Sequence, residues 1–356
     1  MQSSQARRLL LLGFFASAAV LNAADLIKAD NTTNLATAGA WTDSAAIPTN
    51  ADTLVFNDTL QGNFAFNWGN TAPAARGIRL TNPAGAVAIT LNSNSYYGLG
   101  VSNSATGSID MSAATANLTI IAPNANAALR FYHVNNTSPA NISVAEGTTL
   151  TLQTRVFSQR GGGVTGIIRI SGAGNVTVDG TRGRITDSDT SGNTRTGITH
   201  DGTGTITLAS ANTYTGNTVL NSGNFLLAGT GALRFNLATG NQITGATAGE
   251  VRFNGTFNVL VGDTPFGEDT TWTLVAGTFG DLAYGNDFSL SLTGSVVGSG
   301  ITLDRANNYA AGNWSYNTST GALMFSAIPE PSTYAAFAGI GILGLAVVRR
   351  RRDARS

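Results

Sequence analysis

The sequence contains no cysteine, which excludes disulfide bonds, thiolate metal sites and cysteine nucleophiles. Charge is also scarce: charged residues make up 11% of the 356 residues, and Lys28 is the single lysine. The two histidines, His133 and His200, come without clustered further ligands, so we predict no metal site and no cofactor. Apolar residues nevertheless reach 42%, so the chain can bury a core and intrinsic disorder is not expected.

The basic residues are unevenly distributed along the chain. Seven of the 20 lie in the two ends, which leaves 13 basic against 18 acidic side chains between residues 24 and 329. The body is therefore mildly acidic and has no dense basic patch. Because neutralising phosphates requires clustered Lys and Arg, binding to nucleic acid is not expected. The acidic residues are scattered, so no pair can be argued to face one another as glycosidase carboxylates do, and we predict no enzymatic activity.

The N-terminus has the pattern of a signal peptide at residues 1–24. Arg7 and Arg8 form a basic region, and an apolar run of 13 residues follows from Leu9 to Leu21. Small residues at Ala23 and Ala24 then favour cleavage there. An apolar run of this length falls short of the roughly 20 residues that a membrane-spanning helix needs, so an uncleaved anchor is disfavoured.

The C-terminus carries a second apolar segment, followed by arginines. Residues 332–348 contain no charge, and a helix of that length is just long enough for a bilayer core. Arg349, Arg350, Arg351 and Arg352 then predict a stop-transfer signal on the cytoplasmic side. We therefore expect one C-terminal transmembrane helix, with the body outside.

The residues before this helix make the interpretation more specific. Pro329, Glu330 and Pro331 form an extended tripeptide, since the residue before a proline is pushed out of the α region. Together with the apolar helix and the arginine run, residues 327–356 resemble the PEP-CTERM sorting domain of Gram-negative bacteria that make exopolysaccharide. The resemblance implies that an integral-membrane exosortase recognises the tripeptide and removes the tail after transient anchoring in the inner membrane. It also implies a destination at the cell surface, in the outer envelope or in a secreted matrix.

The body, residues 25–250, shows a recurring strand pattern. Apolar and hydroxyl residues alternate in each copy, which favours strands that follow glycine turns. The copies are Asn117–Ile120, Asn141–Val144, Asn175–Val178 and Thr205–Leu208. Upstream of the last two, the glycines of 171–174 align with those of 201–204. Strands that recur without intervening helices predict an all-β parallel β-helix, with a pair of β-sandwiches as the alternative.

Two further segments refine this organisation. Residues 202–233 are similar to the autotransporter-associated β-strand repeat, whose signature is the Ala-Asn-Thr-Tyr-Thr-Gly sequence at 211–216. The C-terminal barrel of an autotransporter is not expected, because a single apolar segment ends the chain. Residues 251–326 are more aromatic, and we predict that they form a β cap over the end of the solenoid, which would otherwise expose backbone edges.

Two motifs are weak indicators of ligand binding. The Gly-x-Gly-x-x-Gly string occurs at 161–166 and 339–344, but neither copy lies in a strand–helix context suited to nucleotides. Residues 187–192 imitate the start of a calcium loop, although Ile198 stands where a bidentate Glu is required. We interpret both glycine strings as structural and 187–192 as a solvated turn, with Ca²⁺ binding as the alternative.

These observations predict an exported, non-enzymatic structural or adhesive protein of the bacterial surface or exopolysaccharide matrix. Exosortase is the expected processing partner, and hydroxyl and amide groups suit contact with hydrated glycans. The alternative is a β-helical protein that binds or degrades polysaccharide. Such enzymes need charged residues gathered on one sheet face, and the single lysine lies near the start of the mature chain.

Overall fold

A computed structural model describes residues 24–69, 74–101, 105–133, 138–159, 165–188, 195–263, 266–327 and seven positions between 340 and 350. The predicted signal peptide lies outside these residues, apart from Ala24. The described body is built from β-strands, with one short 3₁₀ turn at Ser295–Val297. An all-β fold, as predicted, is confirmed.

The strands are numbered in chain order. The first ten are β1 (Asp25–Ile27), β2 (Thr53–Phe56), β3 (Phe64–Asn67), β4 (Gly77–Thr81), β5 (Val87–Thr90), β6 (Tyr96–Val101), β7 (Ala105–Thr106), β8 (Ser108–Ala113), β9 (Leu118–Ile121) and β10 (Ala128–Tyr132). The next ten are β11 (Ala140–Val144), β12 (Thr149–Gln153), β13 (Arg155–Gln159), β14 (Thr165–Gly172), β15 (Asn175–Val178), β16 (Arg184–Ile185), β17 (Arg195–His200), β18 (Thr205–Leu208), β19 (Thr218–Leu220) and β20 (Asn224–Leu227). The last ten are β21 (Ala232–Asn236), β22 (Ile243–Phe253), β23 (Thr256–Leu260), β24 (Thr270–Thr273), β25 (Val275–Tyr284), β26 (Ser289–Thr293), β27 (Ile301–Asp304), β28 (Ala310–Ala311), β29 (Trp314–Asn317) and β30 (Ala322–Phe325).

The strands pair in parallel as three ladders, which we call faces A, B and C. Face A runs through β1, β2, β4, β8, β11, β14, β17, β19 and the first halves of β22 and β25. Face B runs through β3, β5, β9, β12, β15, β18, β20 and the second halves of β22 and β25. Face C contains β6, β10, β13 and β16, then β21, β23 and β26. This arrangement is that of a β-helix and not of packed antiparallel sandwiches.

The core is formed by inward columns of aliphatic side chains, one per coil. On face B, alternate residues point inward, so each coil contributes two buried residues to adjacent columns. One column contains Leu118, Leu150, Val176 and Ile206, all at most 1% exposed. Solvent is excluded from the columns because each side chain packs against the equivalent residues in the coils above and below.

One of the four predicted repeat segments lies in a different ladder from the others. Residues 117–120, 175–178 and 205–208 share face B, whereas β11, which contains 141–144, lies on face A. The face B strand between Leu118 and Val176 is β12. Two faces carry the same apolar–hydroxyl alternation, so the local pattern alone does not say which face a strand joins.

The aligned glycines do lie in neighbouring coils, as the sequence predicted. A Cβ on Gly204 would stand 1.8 Å from the carbonyl oxygen of Gly174, and one on Gly202 would stand 2.3 Å from that of Gly172. The two backbones therefore approach too closely at this corner for any larger residue. Glycine is therefore required at this corner because the backbones of neighbouring coils approach closely, and also because the chain turns there.

Asparagine side chains connect successive coils at the corner that leads into face B. The Oδ1 atom of Asn175 accepts a hydrogen bond from the Thr205 N–H at 3.0 Å. The same bond recurs from Thr149 N–H to Asn117 at 2.8 Å, and others involve Asn63 and Asn224. Each amide oxygen thus satisfies a backbone N–H that would otherwise lack an acceptor at the bend.

The two ends of the helix are closed differently. At the start, Trp41 is 1% exposed and its indole N–H donates to the Leu35 carbonyl at 3.1 Å. At the other end, β27 pairs antiparallel with β26, and β24, β30, β29 and β28 form a four-stranded antiparallel sheet. The predicted boundary between the body and the cap lies between residues 250 and 251, and parallel pairing continues across it as far as β26. The change from parallel to antiparallel pairing therefore comes further along the chain than the change to a more aromatic composition.

Candidate functional site

The body ends in a fully paired strand immediately before the predicted sorting tripeptide. Strand β30 lies between β24 and β29. Beyond it, the Ser326 N–H donates to the Asn313 carbonyl at 2.9 Å, and the Ala327 N–H donates to the Asp269 carboxylate at 2.8 Å. The tail is therefore joined to the folded body without a long linker.

Most of the predicted sorting residues fall outside the described part of the chain. Pro329, Glu330 and Pro331 are among them, as are Arg351 and Arg352. Arg349 and Arg350 are helical and exposed.

The predicted transmembrane helix at 332–348 is not found: among the described residues, no helix is long and apolar enough to cross a bilayer. Five positions of this segment are described, and all are helical and more than half exposed: Ile340, Ile342, Leu343, Leu345 and Val347. Elsewhere in the described ranges, Ile47 and Ile167 are the large exposed hydrophobics. The body thus buries its large apolar side chains, whereas the described tail positions leave theirs uncovered.

The segment predicted to be a β-strand repeat, residues 202–233, completes a short coil. It runs from β18 on face B through β19 on face A to β20, which pairs with β18. Its Asn212 is fully buried, and its side chain accepts from the Ile185 N–H at 2.8 Å and donates to the Ser210 carbonyl at 2.6 Å. This amide therefore bridges coils on face C, because none of the described residues between β16 and β21 forms a strand of that face.

Two later residues of the predicted signature, Tyr214 and Gly216, also make defined contacts. The Tyr214 ring is 2% exposed and its hydroxyl bonds the Thr218 hydroxyl at 2.6 Å; burial raises the pKa of Tyr214. The Gly216 N–H donates to the Thr196 carbonyl at 2.9 Å, and a Cβ at Gly216 would lie 2.4 Å from that oxygen. The signature sequence therefore encodes a coil closed by side chains in place of a face C strand.

Asp187, the first residue of the calcium-loop alternative, has protein partners. Its carboxylate accepts hydrogen bonds from the Thr196 N–H at 2.8 Å, the Thr215 N–H at 3.0 Å and the Thr215 hydroxyl at 2.6 Å. Residues 189–192 lie outside the described residues. Within the described ranges, no three His, Asp or Glu residues form a group that could hold a metal ion. Asp187 thus joins two later stretches of the chain, and sequence analysis did not predict its contact with Thr215, which lies 28 residues away.

Both histidines lie inside the helix. The His133 Nδ1 donates to the Ser138 carbonyl at 2.8 Å, which makes Nε2 the acceptor for the Ser158 hydroxyl at 2.5 Å. Ser158 is fully buried, so this serine–histidine pair has no access to a substrate. His200 lies in the aliphatic column of face A, between Ile170 and Leu220, and burial lowers its pKa. Its Nε2 contacts the Gly204 carbonyl at 3.0 Å, so the ring connects a core position with the glycine turn that follows it.

A groove on the outer surface of face A was missed by sequence reasoning. It has a volume of about 330 Å³, and its apolar lining includes Ile167, which pairs with Gly197, and Val219, which pairs with Thr199. Arg195, Asn217 and Asn241 lie around it and supply polar groups. The depression lies where Gly197 has no side chain. The residues around it come together only through the pairing register of β14, β17 and β19. Its size and mixed polarity suit a small polar ligand such as a sugar unit.

Comparison with known proteins assigns the tail. Residues 327–352 match the PEP-CTERM protein-sorting motif. No curated protein and no solved structure matches the chain. The motif implies an exported protein with a membrane-anchored sorting signal that an exosortase processes. It covers only the tail, so the function of the β-helix has to be argued from its own residues.

Proposed function

We propose that this chain is an exported, non-enzymatic structural or adhesive protein of the bacterial cell surface or exopolysaccharide matrix. The observation that carries the proposal is the sorting motif at 327–352, which begins where the last strand of the body ends. Pro329, Glu330 and Pro331 are the proposed recognition residues, and Arg349 to Arg352 are the proposed stop-transfer segment.

The construction of the body supports a structural role. Its coils are held by aliphatic columns and asparagine bridges, which require no metal ion, disulfide or cofactor. A chain with few charges and many hydroxyl groups is also well suited to a hydrated matrix. The non-enzymatic assignment rests on the positions of the most reactive groups, since His133, Ser158 and His200 are buried in structural contacts.

The similarity to the autotransporter-associated β-strand repeat belongs to the same proposal. We infer that residues 202–233 form one such repeat, in which Asn212, Tyr214 and Gly216 close a coil. Repeats of this kind lengthen a solenoid, which agrees with a scaffold function.

A polysaccharide-binding role is the second candidate, and the groove beside Gly197 is the observation that favours it. A groove on the outer surface of a stack of strands can follow a linear polymer across several coils. We do not extend the proposal to glycoside hydrolysis, which in most families uses a pair of opposed carboxylates, because the acidic residues are scattered along the chain.

Mass spectrometry of the protein from its native cell tests the proposal directly. We expect the surface or matrix fraction to contain a chain that lacks the arginine end, because processing removes the tail. The double substitution Pro329→Ala/Pro331→Ala is expected to leave an intact chain in the inner membrane, whereas Ser332→Ala serves as the matched control. An intact chain that reaches Ser356 in the surface fraction of the unaltered protein would refute processing.

A further inference from the structure

Ala24 begins the first coil of the β-helix and uses both of its backbone polar groups there. Its N–H donates to the Asp52 Oδ1 at 3.2 Å, and its carbonyl accepts from the Thr53 N–H at 2.9 Å. The strand that follows, β1, pairs with β2 alone among the described strands, so it is the edge strand of face A. Because an edge strand is held from one side only, contacts at its first residue decide whether it stays paired or frays.

Asp52, the partner of Ala24, is a nearly buried carboxylate that lacks a cation. The residue is 8% exposed, and its Oδ2 accepts from the Thr49 N–H at 2.8 Å and from the Thr49 hydroxyl at 2.7 Å. Among the described residues, no Lys or Arg forms an ion pair with Asp52, whereas Asp25 is paired with Arg79 at 2.6 Å. A carboxylate that is taken out of water is stabilised by a positive partner that offsets the lost hydration.

Removal of the signal peptide can supply this positive partner. The sequence predicts cleavage at Ala23 or Ala24. Hydrolysis before Ala24 breaks the C–N bond between the two alanines and forms a C–O bond to the Ala23 carbonyl carbon. The water oxygen stays on the new carboxylate of Ala23, and both water protons go to the nitrogen of Ala24. An amide that donates one neutral hydrogen bond thereby becomes an ammonium with three donors and a positive charge.

Cleavage one residue later would leave these groups without partners. A mature chain that begins with Asp25 lacks the N–H that donates to the Asp52 Oδ1. It also lacks the Ala24 carbonyl, which accepts from the Thr53 N–H. The contacts of Ala24 therefore favour the earlier of the two cleavage positions.

We propose that the signal peptide is removed between Ala23 and Ala24, and that the new ammonium of Ala24 binds Asp52 and fastens β1 in the mature protein. A charge-assisted hydrogen bond is roughly twice as strong as a neutral one, and the attraction is greatest where burial reduces screening by water. The first coil thus becomes more stable once the signal peptide has been removed. A depression of about 200 Å³ beside Ala24 leaves room for water on the remaining N–H groups. The proposal rests on the exported state proposed above.

The first test identifies the N-terminal residue of the protein from its native cell by mass spectrometry. We expect the mature chain to begin with Ala24. A chain that begins with Asp25, or one that retains residues before Ala24, would overturn the proposal. The C-terminal peptide is identified in the same sample, so a failure of tail processing gives a separate result.

The second test removes the positive charge of the mature N-terminus chemically. Lys28 is the single lysine and is fully buried, so amine reagents should modify the α-amine of Ala24 selectively. Acetylation removes the charge and should lower the melting temperature by about 2–4 °C, whereas reductive methylation keeps the charge and should change it by less than about 1 °C. Equal melting temperatures of the acetylated and the methylated protein would overturn the proposal, and this comparison needs no substitution.

Two aspartate variants show whether Asp52 is the partner of the ammonium. In Asp52→Asn the carboxylate charge is absent, so acetylation should no longer change the melting temperature. Asp58→Asn is the matched control, because it removes an exposed carboxylate close to β2 and should leave the full effect of acetylation. An effect of acetylation that is the same in Asp52→Asn as in the unaltered protein would contradict the assignment of Asp52.

Discussion

The middle coils and the last coils, up to β26, share parallel backbone pairing but have different cores. In the middle, the face B columns are aliphatic, as at Leu118, Leu150 and Val176. Towards the end, aromatic residues replace them, and Phe257 packs against the rings of Phe235 and Phe253 with centroid distances of 4.8 and 5.0 Å. A middle coil is covered on both sides by similar coils, whereas the last coil has no successor. Large rings and antiparallel strands therefore cover a surface that repetition leaves open.

The largest effect should come from the aromatic end. Phe257→Ala removes a fully buried ring that also contacts Phe288 and Tyr316, and we expect a loss of about 4 kcal/mol in the free energy of unfolding. Hydrogen exchange should accelerate from β23 onward and remain slow in β9 to β18. Phe325→Ala, in a partly exposed position of the same cap, should cost less. Equal acceleration throughout the body would contradict the view that the end is a separate cover.

A substitution in the middle should instead affect coils on both sides. Leu150→Ala leaves a cavity between Leu118 and Val176, with an expected loss of about 3 kcal/mol. Exchange should accelerate in both β9 and β15, as measured by mass spectrometry of the deuterated protein. The neighbouring outward change Thr151→Ala should stay within about 0.5 kcal/mol. Acceleration on one side only would show that the columns do not couple neighbouring coils.

The two ends should respond oppositely to alkaline pH. Lys28 is fully buried near the start, where its ammonium donates to the Ala29 and Asn31 carbonyls at 2.9 Å, and burial lowers its pKa to about 8. Between pH 8 and its unfolded pKa of 10.5, the unfolded chain binds more protons, so stability should rise, by about 2 kcal/mol up to pH 10. Urea denaturation as a function of pH measures this rise, and Lys28→Met should abolish it.

Above pH 10 the C-terminal tyrosines reverse the trend. Burial raises the pKa of Tyr284 to about 12 and also raises that of Tyr316. The hydroxyl oxygens of the two tyrosines lie 2.9 Å apart. There the folded protein retains protons that the unfolded chain has lost, so stability should fall as the pH rises. Tyr284→Phe should delay this fall, whereas it should leave the gain between pH 8 and 10 unchanged. If Tyr284→Phe does not change the loss of stability above pH 10, that loss does not come from Tyr284.

The smallest expected effect tests a feature that the middle and the end share. Asn175→Ala leaves the Thr205 N–H without its acceptor, at an expected cost of about 1 kcal/mol, and Asn224→Ala should cost a similar amount. Asn175→Asp retains an oxygen acceptor and should preserve most of the stability. These losses are measured by thermal unfolding. A negligible loss at Asn175 would mean that water replaces the amide at the corner.

Sequence reasoning predicted the all-β class, the parallel solenoid and the sorting tail. It also aligned the glycines of 171–174 with those of 201–204, because a close approach of backbones allows no other residue. Sequence reasoning grouped residues 141–144, which lie on face A, with three segments of face B. The alternation of apolar and hydroxyl residues is the same on both faces, because each strand turns one side towards the core. The transmembrane helix expected at 332–348 is not found among the described residues.

By itself, the sequence determined that the chain carries an export and sorting signal and that it is built from recurring strands, since both are encoded in contiguous residues. The tripeptide, the apolar run and the arginines are adjacent in the chain, and strand alternation repeats every two residues. Only the tertiary structure decided which strands are neighbours. Partners in this fold lie some 30 residues apart, as Asn175 and Thr205 do, and the spacing varies from coil to coil. The groove at Gly197 and the contacts of Asp187 therefore exist only once the register of the coils is fixed.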